Sequence, residues 1–401
     1  MTIGYDNANR RTSLTLPNGI VVAYTSYDGD SRVKGMTWTL SGNLVGDLEY
    51  NYDADGRVIG KTGSFAQVNL PQTVTGNTFN ADNEMTAFNG TALSYDPNGN
   101  LTNDGTNIYV WDARNHLAGL TGSSTASFMY DGLGRRMSKT VSGSTSQFLY
   151  DRLNPVEELD ASNAPTANLL AGLRIDEYFQ RTDSAGARDY LTDILGSTLG
   201  LADSSGTIQT SYTYEPFGNT TTSGAPSTNP FQLTGRENDG TGLDYYRARY
   251  YSPSFQRFIG QDPIGFAGGY ANLYAFVENN PANLVDRLGL QVMPKWADPD
   301  NPEYDPIDWS AVGDAASNPS NQLTAPPSDS GYYCALKPSP PPPCSMGDPQ
   351  MDPFDPLLET PVVLTDLGFE LGESFELGGI PGAAIGFAFG VGTVLANTGC
   401  Q

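Results

Sequence analysis

The chain has 401 residues, with 21 lysines and arginines against 45 acids and a formal net charge of −24. Such a surface repels phosphate, which argues against a general nucleic-acid-binding role. Its 45 glycines and 22 tyrosines, with little helical periodicity, suit many short strands joined by turns, in a chain long enough for two or three domains.

The first eleven residues contain no basic segment followed by an apolar run, so they do not read as a secretory signal peptide. Export then needs another route, or the sequence is part of a longer chain. From Tyr5 onward a unit recurs. It is an aromatic residue, usually an acid, then Gly or Asn, and then Arg or another polar residue five positions after the aromatic. Copies start at Tyr5, Tyr27, Tyr52, Phe79, Tyr95, Trp111, Tyr130, Tyr150 and Tyr214, and Tyr52-Asp53-Ala54-Asp55-Gly56-Arg57 is the clearest. The first eight starts lie 16 to 27 residues apart, about the length of one hairpin. An acid followed by Gly or Asn favours a tight reversal. Between the turns, stretches such as Arg57-Val58-Ile59-Gly60-Lys61-Thr62 alternate as strands do. Each Tyr-Asp pair therefore reads as a packed aromatic with a turn acid. A ladder of rings for carbohydrate is the other reading. His116, the single histidine, closes the Trp111 copy and reads as a turn residue rather than a catalytic or metal group. Over residues 161–228 the repeat loosens, and residues 220–230 read as a polar loop.

Residues 232–290 are dense in Tyr, Gly and Arg. Two aspartates each open a tetrapeptide closed by Gly: Asp262-Pro263-Ile264-Gly265 and Asp286-Arg287-Leu288-Gly289. Such tetrapeptides make turns without any chemistry. Two carboxylates held close together do something more. They cannot both ionise, so one keeps its proton and can act as acid while the other acts as base on a water.

Beyond Leu290 the composition changes. Residues 291–401 carry two lysines, no arginine and fifteen acids, a net charge of −13. Residues 297–360, rich in Pro and Asp, are expected to be poorly ordered. The three cysteines, Cys334, Cys344 and Cys400, all lie here and leave the repeats without disulfides. Residues 378–399 are uncharged, with Gly382, Gly386 and Gly390 at spacing four. They read either as a membrane-inserted helix or as a segment packed like a plug against the repeats. No Cys-His cluster or phosphate loop is present, so neither metal nor cofactor is expected.

A long, in-register run carries a family resemblance. It comprises Gly242-Leu243-Asp244-Tyr245-Tyr246-Arg247-Ala248-Arg249-Tyr250-Tyr251, Arg257-Phe258-Ile259, Asp262-Pro263-Ile264-Gly265, Asn272-Leu273-Tyr274, Asn279-Asn280-Pro281 and Asp286-Arg287-Leu288-Gly289-Leu290. It resembles the RHS repeat-associated core domain of bacterial RHS/YD-repeat proteins, which include polymorphic toxins and insecticidal toxin-complex components. The Tyr-Asp copies are similar to the YD repeat of the same family. The resemblance implies a mainly β fold, an antiparallel hairpin sheet that spirals into part of a hollow shell. Residues 1–220 would form the sheet, 221–290 a core plug, and 291–401 a variable low-complexity tail. It implies the C-terminal part of a secreted or cell-surface toxin or delivery protein. The implied partners are its own tail, an immunity protein and delivery machinery. It also implies a single self-cleavage between Leu290 and Gln291 by Asp262 and Asp286, with Arg257 holding the carboxylate or polarising the carbonyl. The competing reading is a non-catalytic surface protein that binds partners or sugars. Arg287 stands where the family usually has Pro. A cation beside Asp286 would lower its pKa, so Arg287→Pro is expected to speed the cut.

Overall fold

In the computed structural model each repeat turn is built by its acid. At Asp6 the backbone N–H donates to Arg10 O, and the Asn9 N–H donates back to Asp6 O. The Asp6 side chain adds Oδ1 as acceptor for the N–H groups of Ala8 and Arg10, both at 2.9 Å. The same pattern recurs at Asp28, Asp53, Asp96, Asp112, Asp131, Asp160, Asp193 and Asp203. The fourth residue of each turn has a positive φ, as at Asn9 (59°), Gly56 (82°) and Gly134 (80°). This is the three-residue hairpin loop that ends in a left-handed residue, which is why Gly or Asn recurs there.

The structure describes residues 1–290 and the backbone of 293–294. They belong to one unit, Met1–Leu323, and the second unit, Thr324–Gln401, lies outside the described residues. So do the expectations placed on Gln291, on residues 297–360 and on residues 378–399.

The described fold is nearly all β, in antiparallel sheets that do not close into a barrel. Six consecutive strands, from Thr2–Tyr5 to Val58–Thr62, make the first sheet. Fourteen consecutive strands, from Ser94–Tyr95 to Thr220–Gly224, make the second. A four-stranded sheet runs from Glu237–Asn238 to Arg257–Phe258. Although the sequence repeat loosens over residues 161–228, the long sheet continues to Gly224. The turns at Asp160 and Asp203 lack the preceding aromatic and keep the hydrogen bonds. Part of the expected polar loop is the strand Thr220–Gly224. Tyr150-Asp151 departs the other way. Asp151 pairs with Asn154 across a two-residue turn in which Arg152 has φ 53°.

The repeat tyrosines are staples. Tyr27 donates its hydroxyl to Arg11 O, Tyr52 to Val33 O, Tyr130 to Leu117 O and Tyr214 to Thr198 O. Each acceptor directly follows a turn of this kind, at Asp6, Asp28, Asp112 and Asp193. The turn arginines lie over the next ring, Arg10 over Tyr27 at 4.6 Å and Arg32 over Tyr52 at 5.2 Å. Each hydroxyl bond contributes about 1 kcal/mol net and each cation–ring contact about 0.5–1 kcal/mol. The rings are thus engaged in packing, as the first reading of the Tyr-Asp pairs has it.

The core hairpin packs with two faces, as strand alternation requires. Tyr245 and Tyr250 are paired in register and face the long sheet, in one cluster with Tyr109, Leu120 and Phe128. Tyr246 and Tyr251 face the other way, onto Phe258, Phe276 and Val277. Tyr246 is paired with Arg249, which puts the Arg249 side chain on this second face.

Candidate active site

Both predicted aspartates are turn residues, and in each the turn uses only one carboxylate oxygen. Asp262 Oδ1 accepts the Ile264 N–H at 3.0 Å, and the Gly265 N–H closes the turn on Asp262 O at 2.9 Å. Asp286 Oδ1 accepts three N–H groups, from Leu288 (3.2 Å), Gly289 (2.7 Å) and Leu290 (3.1 Å). The second oxygens converge. Arg249 Nη2 is 3.0 Å from Asp262 Oδ2 and 3.4 Å from Asp286 Oδ2. Two atoms at those distances from one nitrogen are separated by at most about 6.4 Å, the sum of the two.

Arg249 is fixed on every side. Its Nε donates to Gly289 O at 2.5 Å and its Nη1 to Leu273 O at 3.0 Å. Its guanidinium lies 3.6 Å from the centroid of the Phe258 ring. All three charged groups are buried. Burial pushes the Asp286 carboxyl up to about 6, although Arg249 and the three N–H donors pull the other way. Burial raises the Asp262 carboxyl as well, against the pull of Arg249 and of the Ile264 N–H. Arg249 itself is lowered by burial, against both carboxylates. Desolvation disfavours every charged form here, and one cation between two acids offsets it only in part.

The backbone around the expected cleavage point is held beside this cluster. The Leu290 N–H is bound by Asp286, as above. The Leu290 carbonyl oxygen and Asp262 Oδ2 both lie within 3.1 Å of one point beside Gly268. Further on, Val285 pairs with Met293 and Leu284 with Pro294. These pairs tie the base of the loop that contains Leu290.

Two arginines are not where the sequence reading puts them. Arg257 does not reach the aspartates. Its Nη2 donates to Asn83 O at 2.5 Å, and its guanidinium stacks 4.7 Å from the Tyr274 ring centroid and 5.2 Å from that of Phe79. Arg249 occupies the place expected of it. The sequence does carry a signal for Arg249, since counting strand parity along the hairpin puts it on the Tyr246 and Tyr251 face. Arg287 points away from Asp286. Its Nη1 donates to Ile175 O at 2.6 Å, and its nearest charges include Asp176 and Glu177. The expected depression of the Asp286 pKa by Arg287 is therefore overturned, because the cation at Asp286 is Arg249. His116 takes the place of a turn arginine. Its ring stacks on Tyr130 at 4.7 Å, and its Nδ1 is 3.2 Å from Asp112 Oδ2.

The family model described as Teneurin YD-shell matches residues 1–282. The chain belongs to this family. The "tRNA3(Ser)-specific nuclease WapA" of Bacillus spizizenii is 32% identical over 298 residues, covering 71% of this chain and 12% of that protein. The "Double-stranded DNA deaminase toxin A" of Burkholderia cenocepacia is 27% identical over 321 residues, covering 66% of this chain and 22% of that one. The chain thus spans a small part of these relatives. Among solved structures, "Crystal Structure of TcdB2-TccC3-Cdc42" superposes with a TM-score of 0.55 at 20% identity, covering 72% of this chain and 19% of that chain. That likeness concerns the fold. The relatives support the RHS/YD-repeat assignment of the sequence reading and its setting among bacterial toxins.

Proposed function

We propose that this chain is the shell end of a toxin or delivery protein and that it cuts itself once, between Leu290 and Gln291. The observation that carries the reading is the meeting of Asp262 and Asp286 at Arg249, beside the Leu290 carbonyl. In this reading Asp262, the carboxylate beside that carbonyl, takes a proton from a water. The water oxygen attacks the Leu290 carbonyl carbon. Asp286, with its carboxyl near 6, gives its proton to the Gln291 nitrogen as the C–N bond breaks. The products are a Leu290 carboxyl group and a free Gln291 amine. An acid that titrates near neutral pH suits this work. Arg249 holds both carboxylates in place and balances the negative charge that develops on the oxygen.

The tail beyond Leu290 would then be the carried segment. Its partners would be an immunity protein and delivery machinery, and its place outside the producing cell. Two relatives carry names that refer to tRNA and to DNA. The tail of this chain, with fifteen acids and no arginine, lacks the basic surface such substrates call for. The test is the mass of the expressed chain. Two fragments split after Leu290 are expected, and Asp262→Asn and Asp286→Asn should each leave one intact chain. An intact wild-type chain overturns the reading.

A further inference from the structure

The turn after Asp262 holds three glycines, Gly265, Gly268 and Gly269, and they differ in kind. Gly265 has φ 57° and Gly269 has φ 90°. A Cβ added at either meets nothing within 4 Å, so these two serve backbone conformation. Gly268 is not among the positive-φ residues. A Cβ added there would lie 2.9 Å from Asp262 Oδ2, 3.1 Å from Leu290 O and 3.5 Å from Asp262 Cγ. Gly268 is therefore a matter of space, and the space is shared by the carboxylate and the carbonyl that the cleavage reading needs.

We propose that Gly268 is a positioning residue of the self-cleavage, whose missing side chain keeps open the gap between Asp262 and the Leu290 carbonyl through which water arrives. The proposal rests on the self-cleavage reading and adds a requirement to it. A water must hydrogen-bond to the carboxylate at about 2.8 Å while its oxygen faces the carbonyl carbon. Both flanking oxygens lie at hydrogen-bonding distance from the point a methyl would fill. A methyl there gives neither of them a partner. It pushes the carboxylate and the carbonyl apart and strips water from both. Misplacing reacting groups by about 1 Å can cost on the order of 100-fold in rate.

The experiment follows fragment formation over time after cell-free synthesis of the full chain, across pH, for wild type, Asp262→Asn, Gly268→Ala and Gly269→Ala. Gly268→Ala is expected to cut about 100-fold more slowly. Its acid limb, where the rate falls as Asp262 gains its proton, should move to higher pH because the methyl desolvates that carboxylate further. Gly269→Ala strains a positive-φ position outside the Asp262 turn and without entering the gap. It should cut with an unshifted pH profile. Gly268→Ala cutting at the wild-type rate overturns the proposal if Asp262→Asn stays intact. So does slow cutting with an unshifted acid limb, since that marks damage to the fold. If wild type itself never cuts, the self-cleavage reading falls and this proposal falls with it.

Discussion

The repeat turns and the two core turns use the same residue in the same way up to one atom. In both, aspartate Oδ1 accepts the N–H groups of its own turn. Where a repeat turn closes on arginine, Oδ2 meets that arginine four residues on, as Asp6 meets Arg10 and Asp131 meets Arg135, each at 2.8 Å to Nε. Those pairs are partly open to solvent. At Asp6 the hydrogen bond from Arg10 and those of the backbone hold the carboxyl below its usual range. The hydrogen bond from Ser205, with others from its own turn, takes Asp203 down to about 2. In the core, the two Oδ2 atoms are buried and share an arginine from another strand, and Asp286 rises to about 6. Turn chemistry is thus common to both, and burial separates a structural clip from a group able to exchange a proton near neutral pH.

Substitution should separate the two classes. Asp262→Asn and Asp286→Asn are each expected to abolish the cut. Asp131→Asn keeps its Oδ1 contacts, should cut normally, and should cost about 0.5–1 kcal/mol in denaturant unfolding through the loss of a surface ion pair. Arg249→Met removes the shared cation. It should destabilise the chain by about 3–5 kcal/mol, the range for breaking a buried ion pair. In a pH–rate profile it should also move the acid limb upward, because both carboxyl pKa values rise.

The two classes should also respond to pH with opposite sign. A raised folded pKa means that the folded state holds its proton more tightly than the unfolded chain. Stability from Asp286 is then fully present below about pH 4 and is lost as pH rises through about 6. The rise from the ordinary carboxyl range to about 6 corresponds to about 3 kcal/mol. Unfolding of the intact Asp262→Asn chain relative to the variant that carries both Asp262→Asn and Asp286→Asn, between pH 4 and 7, measures it. Asp203, held near 2, contributes stability above about pH 4 that is lost as pH falls toward 2. A small effect is also expected at Arg287. Arg287→Met loses the hydrogen bond to Ile175, worth about 1 kcal/mol. It should leave the pH profile of cleavage unshifted, and a shifted profile would restore Arg287 to the site.

The turns were legible in the sequence because an acid and a Gly or Asn three residues later describe them locally. The turn at Leu16 was not. It makes the same backbone bonds through Leu16, Gly19 and Ile20 without an acid. Asp262 and Asp286 were legible from their turn motifs and the family resemblance. Their common partner was not, since Arg249 reaches them only through the pairing of a hairpin 37 residues away from Asp286. Arg257, five residues from Asp262, was the nearer choice in sequence, yet its side chain leaves on the Tyr274 side.

The tyrosine staples have a kinetic consequence. Each joins residues 13 to 19 apart, as Tyr130 joins Leu117 and Tyr52 joins Val33. A chain whose contacts are this local can add one hairpin at a time, and low contact order makes such growth fast. The core segment is anchored from far back, as the first sheet is to the long one through Arg11 and Glu177 across 166 residues. Arg136 meets Asp239 across 103 residues, and Val58 meets Asn283 across 225. A ribosome delivers these late residues to a sheet already grown. The buried setting that raises Asp286 is then among the last features of the fold to form, so the chain gains its acid only after the sheet that surrounds it is in place.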